Sequence, residues 1–282
     1  MKTPGNKISR RRFLGGVSFA ALGAFGYARL FEAEWLQQSF VSVPFAAATQ
    51  SPLKLLHLSD LHASPVVSLR YIQRAIDAAC AWKPDLICVT GDFITRTFED
   101  DAGYVRVLRR LSGTAQTFAS LGNHDGGRWA GEDGGYKDAN WIVNVLKRSG
   151  IRLLHNASAR IQVGDHKLNL VGVGDMWAGD MDIQRAFAGR PAGDTIVLSH
   201  NPDTKEHLNA FDWRLMLCGH THGGQLRVPW LGATPFAPVR DKRFVAGLRG
   251  WNERWIHVTR GIGSVFGVRI NCPPEVSFLT LT

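Results

Sequence analysis

Apolar and polar positions alternate in two rhythms along this chain, and each change of rhythm marks an element. Residues 53–58 form a short apolar run that ends at Ser59-Asp60. Leu69, Ile72, Ile76 and Ala79 then recur at helical spacing, and Pro84 closes that helix. A second apolar run, 86–90, ends at Gly91-Asp92, and a helix carrying Tyr104, Leu108 and Leu111 follows. A third run, 117–121, ends at Gly122-Asn123-His124-Asp125. Residues 126–140 are polar, glycine-rich and aperiodic, which predicts a long loop. A helix over 139–149 and a strand over 151–154 complete this half. The second half is richer in strand signals, at 160–163, 168–173, 195–199, 215–218, 255–259 and 276–281, with one helix near 203–209. No repeat or linker interrupts 50–282. The pattern predicts one α/β domain of two mixed sheets packed face to face, with helices outside.

The first 48 residues read differently. Ser9-Arg10-Arg11-Arg12-Phe13-Leu14-Gly15 opens a modest apolar run that reaches Ala28, a charged region ahead of an apolar one as in export signals. The run is too short and too rich in Gly and Ala for a spanning helix, which needs about 20 apolar residues. The paired arginines resemble a twin-arginine signal, which implies the twin-arginine export machinery as a partner and a periplasmic or membrane-associated destination for a chain exported already folded. Ala46-Ala47-Ala48 offers a cleavage site of small residues. Between them, Leu30, Phe31, Trp35, Leu36, Phe40 and Val41 are spaced along one helical face, so residues 30–45 are expected to form an amphipathic helix, lying on a membrane surface or packed on the body. The expected division is a signal or anchor segment over 1–48 and a catalytic domain over 49–282.

Composition narrows the class. The chain has 282 residues, 45% hydrophobic and 20% charged, which excludes a disordered, collagen-like or disulfide-stapled protein. Of the net charge of +9, residues 1–48 supply +4 (six basic, two acidic), leaving 27 basic against 22 acidic residues, or +5, for the body. The body lacks a dense basic tract interleaved with aromatics, so nucleic acid is not the expected partner. A mildly basic body suits a small anionic substrate. Cys80, Cys88, Cys218 and Cys272 form no CxxC pair and are expected as free thiols.

The chemistry gathers at the strand ends. Asp60-Leu61-His62, Gly91-Asp92, Gly122-Asn123-His124-Asp125, His200 and Gly219-His220-Thr221-His222 each follow the carboxyl end of a predicted strand, where open α/β sheets bind ligands. Alternate residues of an extended segment point the same way, so Asp60 with His62, and His220 with His222, can each aim at one point. Carboxylates, imidazoles and one amide oxygen form a mixed ligand set suited to Mn, Fe, Zn or Ni rather than calcium. Seven candidate ligands are too many for one ion and suit two, with Asp92 as the natural bridge. His57 sits inside the first strand and is expected as a satisfied core histidine. Arg240, Lys242 and Arg243 either grip a phosphate or form a solvated cluster, and Trp129 and Tyr136 either line a substrate pocket or pack a surface loop.

The ordered pattern D-x-H, G-D, G-N-H-D, H and G-H-x-H resembles that of the calcineurin-like metallophosphoesterase superfamily, over roughly residues 53–282, with no motif residue missing. The resemblance implies the superfamily's αββα sandwich and two divalent cations, manganese first among them, with Fe, Zn and Ni as alternatives. It assigns Asp60, His62, Asp92 and His222 to one metal and Asp92, Asn123, His200 and His220 to the other. His124 then matches the histidine beside the leaving-group oxygen, and Asp125 the acid that orients it. Two such cations activate a water between them and clamp the phosphoryl oxygens. The implied function is hydrolysis of a phosphodiester or pyrophosphate bond, lipid- or nucleotide-linked. A phosphomonoesterase and a non-catalytic metal-binding scaffold are the alternatives.

Overall fold

Period-two alternation inside the apolar runs sorts their side chains onto two faces, and that sorting builds the layers. The computed structural model describes residues 9–45, 51–228, 234 and 236–282. In chain order they form α1 (Arg10–Leu30), β1 (Gln37–Val43), β2 (Leu53–Leu58), α2 (Leu69–Cys80), β3 (Leu86–Thr90), α3 (Asp101–Ser112), β4 (Gln116–Ser120), α4 (Arg128–Glu132), α5 (Asn140–Arg148), β5 (Arg152–Leu153), β6 (Ala157–Val163), β7 (His166–Gly172), α6 (Ile183–Phe187), β8 (Thr195–Leu198), β9 (Leu215–Cys218), β10 (Gly247–Trp251), β11 (Arg254–Val258) and β12 (Glu275–Leu281).

Two six-stranded sheets result, ordered β1-β12-β2-β3-β4-β5 and β10-β11-β9-β8-β7-β6. In the first only β12 and β2 run antiparallel; in the second only the outermost pairs, β10–β11 and β6–β7, do. Leu55, Leu86, Cys88, Ile196, Leu198, Leu215 and Leu217 fill the space between the sheets. Their neighbours Leu56, Leu58, Ile87 and Val89 face α2, α3 and α5, while Val197, Met216 and Cys218 pack under Trp213 and Phe244 on the far side. This is the expected α/β sandwich of two mixed sheets flanked by helices.

One polar layer interrupts the inter-sheet core. His57 Nδ1 lies 2.9 Å from His257 Nδ1 across the two sheets, and His57 Nε2 is 2.9 Å from Thr90 Oγ1. Burial pushes both imidazoles down, His57 well below its usual range and His257 to about 4, so both are neutral and one ring donates to the other. The expected satisfied core histidine is thus a pair.

Two edges differ from the sequence expectation. Residues 37–43 are strand β1, not part of an amphipathic helix over 30–45: their burial alternates, and β1 pairs in parallel with all of β12. Phe40, Val41 and Val43 favour a pleated edge over the helix suggested by a coincidence of spacing. Phe40 stacks on Phe278 with ring centroids 4.8 Å apart. The folded body therefore begins upstream of residue 49. Strand β10 carried no signal because its two glycines and an arginine break the apolar pattern; the turn Asn252-Glu253, with φ of 47° and 62°, folds it onto β11. The loop at 126–140 contains the short α4, and the helix near 203–209 is a 3-10 turn at Pro202–Leu208.

The N-terminal apolar run is helical as α1, and no helix among the described residues is long and apolar enough to cross a membrane. The end of α1 docks on the body: Ala28 is buried and its carbonyl accepts from the Arg269 amide, while the buried Glu32 carboxylate accepts from the Cys272 amide at 2.7 Å. The tripeptide Ala46-Ala47-Ala48 lies outside the described residues.

Candidate active site

Parallel strands deliver their carboxyl ends to one side of the sandwich, and all the motif residues sit there. Asp60 and His62 follow β2, Asp92 follows β3, Asn123 to Asp125 follow β4, His200 follows β8, and His220 and His222 follow β9. Each chain must turn sharply at its strand end. Asp60, His62, Asp92, His220 and His222 all adopt left-handed backbone, with φ of 53°, 50°, 54°, 68° and 50°. Non-glycine residues rarely adopt it, and clusters of such strain mark functional loops. Gly91 (φ 79°) makes room for the close approach: a Cβ there would sit 2.5 Å from the Gly122 nitrogen. At Gly219 a Cβ would run into Ser59 Oγ and Asp60 Oδ2.

The candidate ligand atoms gather in three overlapping groups: two share no residue, and the third, His62 with Asp92 and His124, spans them. Asp60, His62 and His222 form one: His222 Nε2 is 3.4 Å from Asp60 Oδ1 and 3.1 Å from His62 Nε2. Asp92, His200 and His220 form the other, with His200 Nε2 3.0 Å from Asp92 Oδ2. Asp92 Oδ2 is also 3.5 Å from His62 Nε2, so this carboxylate joins the two groups. Asn123 Oδ1, His200 Nε2 and His220 Nε2 are buried without a well-formed hydrogen bond. Orphaned acceptors and imidazole lone pairs in a dry site fit divalent cations. His200 Nδ1 donates to the Thr90 carbonyl at 2.7 Å, which leaves Nε2 facing the site, the arrangement usual for a metal-ligating histidine.

Electrostatics separate His200 from the other three imidazoles. Burial holds His62 and His220 down at about 3 and His222 well below its usual range, so these rings are neutral. Burial would lower His200 too, but Asp92 and Asp60 raise it well above the usual imidazole value. Burial would raise Asp92, yet His200, His124 and His62 keep it well below the carboxylate range. Asp60 is raised to about 6, chiefly by burial.

His124 lies beside both groups. Its Nδ1 donates to the Thr95 carbonyl at 2.6 Å, and its ring packs edge-on against His62, centroids 4.9 Å apart. The Thr95 carbonyl, not Asp125, therefore orients this ring. Asp125 instead accepts from the backbone amides of Asp92 (2.8 Å), Phe93 (2.7 Å) and Gly122 (2.8 Å), clamping the β3 and β4 loops together. Burial and the charge of Asp92 push its carboxyl up to about 8 against those amides.

A cavity of about 380 Å³ opens over this floor. Trp129 and Trp177 stand on it, their rings edge-on to His124 and His220 with centroids 4.3 and 4.4 Å apart. Leu226, Phe236, Pro238, Val265 and Phe266 form the remaining apolar wall. Tyr136 is not there; it stacks on Trp141 and hydrogen-bonds the Phe98 backbone. Arg240, Lys242 and Arg243 do not line the cavity either: Arg243 pairs with Asp241 and Lys242 donates to the Ala237 carbonyl.

The sequence reading missed Asp175, Phe236, Phe266 and Arg269. Asp175, buried and raised to about 6 by burial, accepts from the amides of Trp177 and Ala178 and so fixes the Trp177 loop. Its signal was available, since Gly174-Asp175 follows β7 as Gly91-Asp92 follows β3. Phe236 and Phe266 carried no signal. The guanidinium of Arg269, fully buried beneath His222, donates to the carbonyls of Arg260, Gly261, Gly263 and Cys272 and so ties down the loop after β11.

Comparison with known proteins places these observations in context. The family pattern of the calcineurin-like phosphoesterases matches residues 53–224. Phosphodiesterase YaeI of Escherichia coli (strain K12) is 43% identical over 97% of this chain and 99% of its own. The UDP-2,3-diacylglucosamine pyrophosphatase LpxG of Chlamydia trachomatis is 27% identical over 80% of this chain and 83% of its own. A Bacillus subtilis relative, the uncharacterized metallophosphoesterase YkuE, is 28% identical over 98% of both chains.

Proposed function

Since the chain belongs to the calcineurin-like phosphoesterases, metal-dependent hydrolases of phosphoesters, we propose that it is a two-cation phosphodiesterase acting on a diester or pyrophosphate bond. The observation that carries this reading is the pair of candidate ligand groups joined by Asp92, with Asn123 Oδ1 and His220 Nε2 left without hydrogen-bond partners. Asp60, His62, Asp92 and His222 would hold one cation, and Asp92, Asn123, His200 and His220 the other. Bound there, divalent cations, manganese foremost, supply charge that polarises the phosphoryl oxygens and activates a water.

The chain's own groups do the rest. His124 rests its Nδ1–H on the Thr95 carbonyl, so its Nε2 is the atom left to carry a proton to the departing oxygen. The Asp92 carboxylate also accepts the His124 amide at 2.9 Å, so that ring is set relative to the metal floor by backbone as well as by side chain. Trp129 covers one side of the His124 ring and Trp177 one side of the His220 ring. Export by the twin-arginine route is part of the same reading, supported by Arg10-Arg11-Arg12 ahead of the apolar stretch of α1.

Hydrolysis of bis-p-nitrophenyl phosphate and of p-nitrophenyl phosphate by the full chain, with Mn²⁺ and again with chelator, tests the proposal. Metal-dependent cleavage with the diester preferred is the expected result. Preference for the monoester replaces diesterase by phosphatase, and no cleavage of either by protein carrying two metal ions per chain leaves the scaffold.

A further inference from the structure

The wall of the cavity differs in chemistry from its floor. Among the described residues, Trp129, Trp177, Leu226, Phe236, Val265 and Phe266 line it, and no Lys or Arg does. Away from the motif residues and the indole N–H groups of the two tryptophans, its polar side chains are Thr221 and Gln225, and both are engaged with the fold. Thr221 Oγ1 donates to the Val245 carbonyl at 2.7 Å and Gln225 Nε2 to the Val268 carbonyl at 3.0 Å. The sequence from Val228 to Val239, which includes Phe236, and from Gly261 to Val268, which includes Phe266, holds no charged residue. A ribose, base or second phosphate entering here would lose its water and gain few partners, at the cost that burial without hydrogen bonds always carries.

The rim is more apolar still. Phe236 and Phe266 are 72% and 74% exposed, a placement that the packing of the body does not require. Phe266 precedes Gly267, whose carbonyl accepts from Arg29 at the end of α1. On α1 itself Phe19, Leu22, Phe25 and Leu30 are exposed, and the end of that helix meets the Phe266 loop at Gly267.

We propose that this site takes amphiphilic phosphoesters. The phosphoryl group sits on the floor, and an alkyl chain runs along Trp129 and Trp177 and leaves between Phe236 and Phe266. The proposal rests on the phosphodiesterase reading and narrows it to lipid-linked rather than nucleotide-linked esters.

The test uses the Mn²⁺-loaded full chain and the methyl, butyl and octyl esters of p-nitrophenyl phosphate below their aggregation limits, beside the p-nitrophenyl ester of thymidine 5′-phosphate. Complete burial of a methylene is worth about fourfold in affinity; on a half-open wall roughly twofold per carbon is expected, or about 100-fold in kcat/KM between methyl and octyl. Replacing both rim rings, Phe236→Ser with Phe266→Ser, should reduce the octyl-to-methyl ratio at least ~10-fold, and the ratio cancels any loss common to both esters. Tryptophan emission supplies a readout without turnover: octylphosphonate should perturb it at concentrations where methylphosphonate does not. A ratio near one, a thymidine ester that outruns the octyl ester, or identical emission with both phosphonates overturns the proposal while leaving the phosphodiesterase intact. Failure of metal-loaded protein to cleave any of the four esters overturns the phosphodiesterase reading, and this proposal with it.

Discussion

The floor and the wall of the cavity are made by opposite means. The floor is polar, buried and held by short-range geometry: seven candidate ligand side chains on five strand-end loops, five of them in left-handed backbone, braced by hydrogen bonds to the Thr90 and Thr95 carbonyls and by the Asp125 clamp. The wall is apolar, partly exposed and drawn from loops far apart in the chain, around Trp129, Trp177, Phe236 and Phe266. Geometry specifies the floor, and hydrophobicity and shape specify the wall. Changes to the floor should therefore act on metal content or kcat, and changes to the wall on KM.

The largest expected effect is at the shared ligand. Asp92→Ala should remove detectable hydrolysis and lower the metal content per chain, read by elemental analysis; full activity with full metal would dissolve the idea of a joined pair of sites. His124→Ala comes next, with kcat reduced ~10²–10⁴-fold. Its metal content should match the parent, and loss of metal would make His124 a ligand after all. Asp125→Asn presents an amide NH₂ to backbone donors, so a loss on the order of 1–3 kcal/mol in stability is expected from urea denaturation. A weakening of metal affinity by roughly 10–100-fold should accompany it, as for other groups that brace ligands. Trp177→Ala belongs to the wall: KM for bis-p-nitrophenyl phosphate should rise several-fold while kcat and metal content hold. A fall in kcat alone would erase the distinction between the two regions.

Most of the floor was legible in the sequence, for a physical reason. A ligand on a strand-end loop needs a particular side chain at a particular offset, so Asp60 with His62 and His220 with His222 are local patterns that a linear reading detects. Tertiary pairing, by contrast, decided β1: its serines and valines meet β12, which lies more than two hundred residues away. The wall was illegible on the same grounds. Phe236 and Phe266 become neighbours of the metal groups only when the loops after β9 and β11 fold back, and no spacing records that. Asp125 shows the limit of resemblance, since its place was right while its hydrogen bonds serve the backbone of the floor rather than the ring of His124.

A smaller, pH-dependent effect probes what lies under the floor. Buried His57 and His257 have folded pKa values below the unfolded value near 6.5, the latter at about 4. The unfolded chain therefore takes up more protons below that value, and the stability is full above about pH 6.5 and lost as pH falls toward 4. At pH 5 the loss is on the order of 2 kcal/mol for each histidine. Denaturation midpoints at pH 7 and 5 measure it, and His257→Gln should flatten the slope. An unchanged slope would mean that these two rings do not set the acid limit.

The left-handed turns at Asp60, His62, Asp92, His220 and His222 also constrain how such a site can change over generations. Aspartate, asparagine and histidine tolerate that backbone better than most other side chains, and they are also residues that bind hard and borderline cations. Two filters thus act on the same positions, one steric and one chemical, and what passes both is a vocabulary of about three residue types. A substitution to valine or isoleucine fails on the backbone before its chemistry is ever tried. The route open to drift is exchange within that set, which retunes the cation while the loops stand. The wall is under neither filter, so new specificities can arise there without disturbing the metal floor.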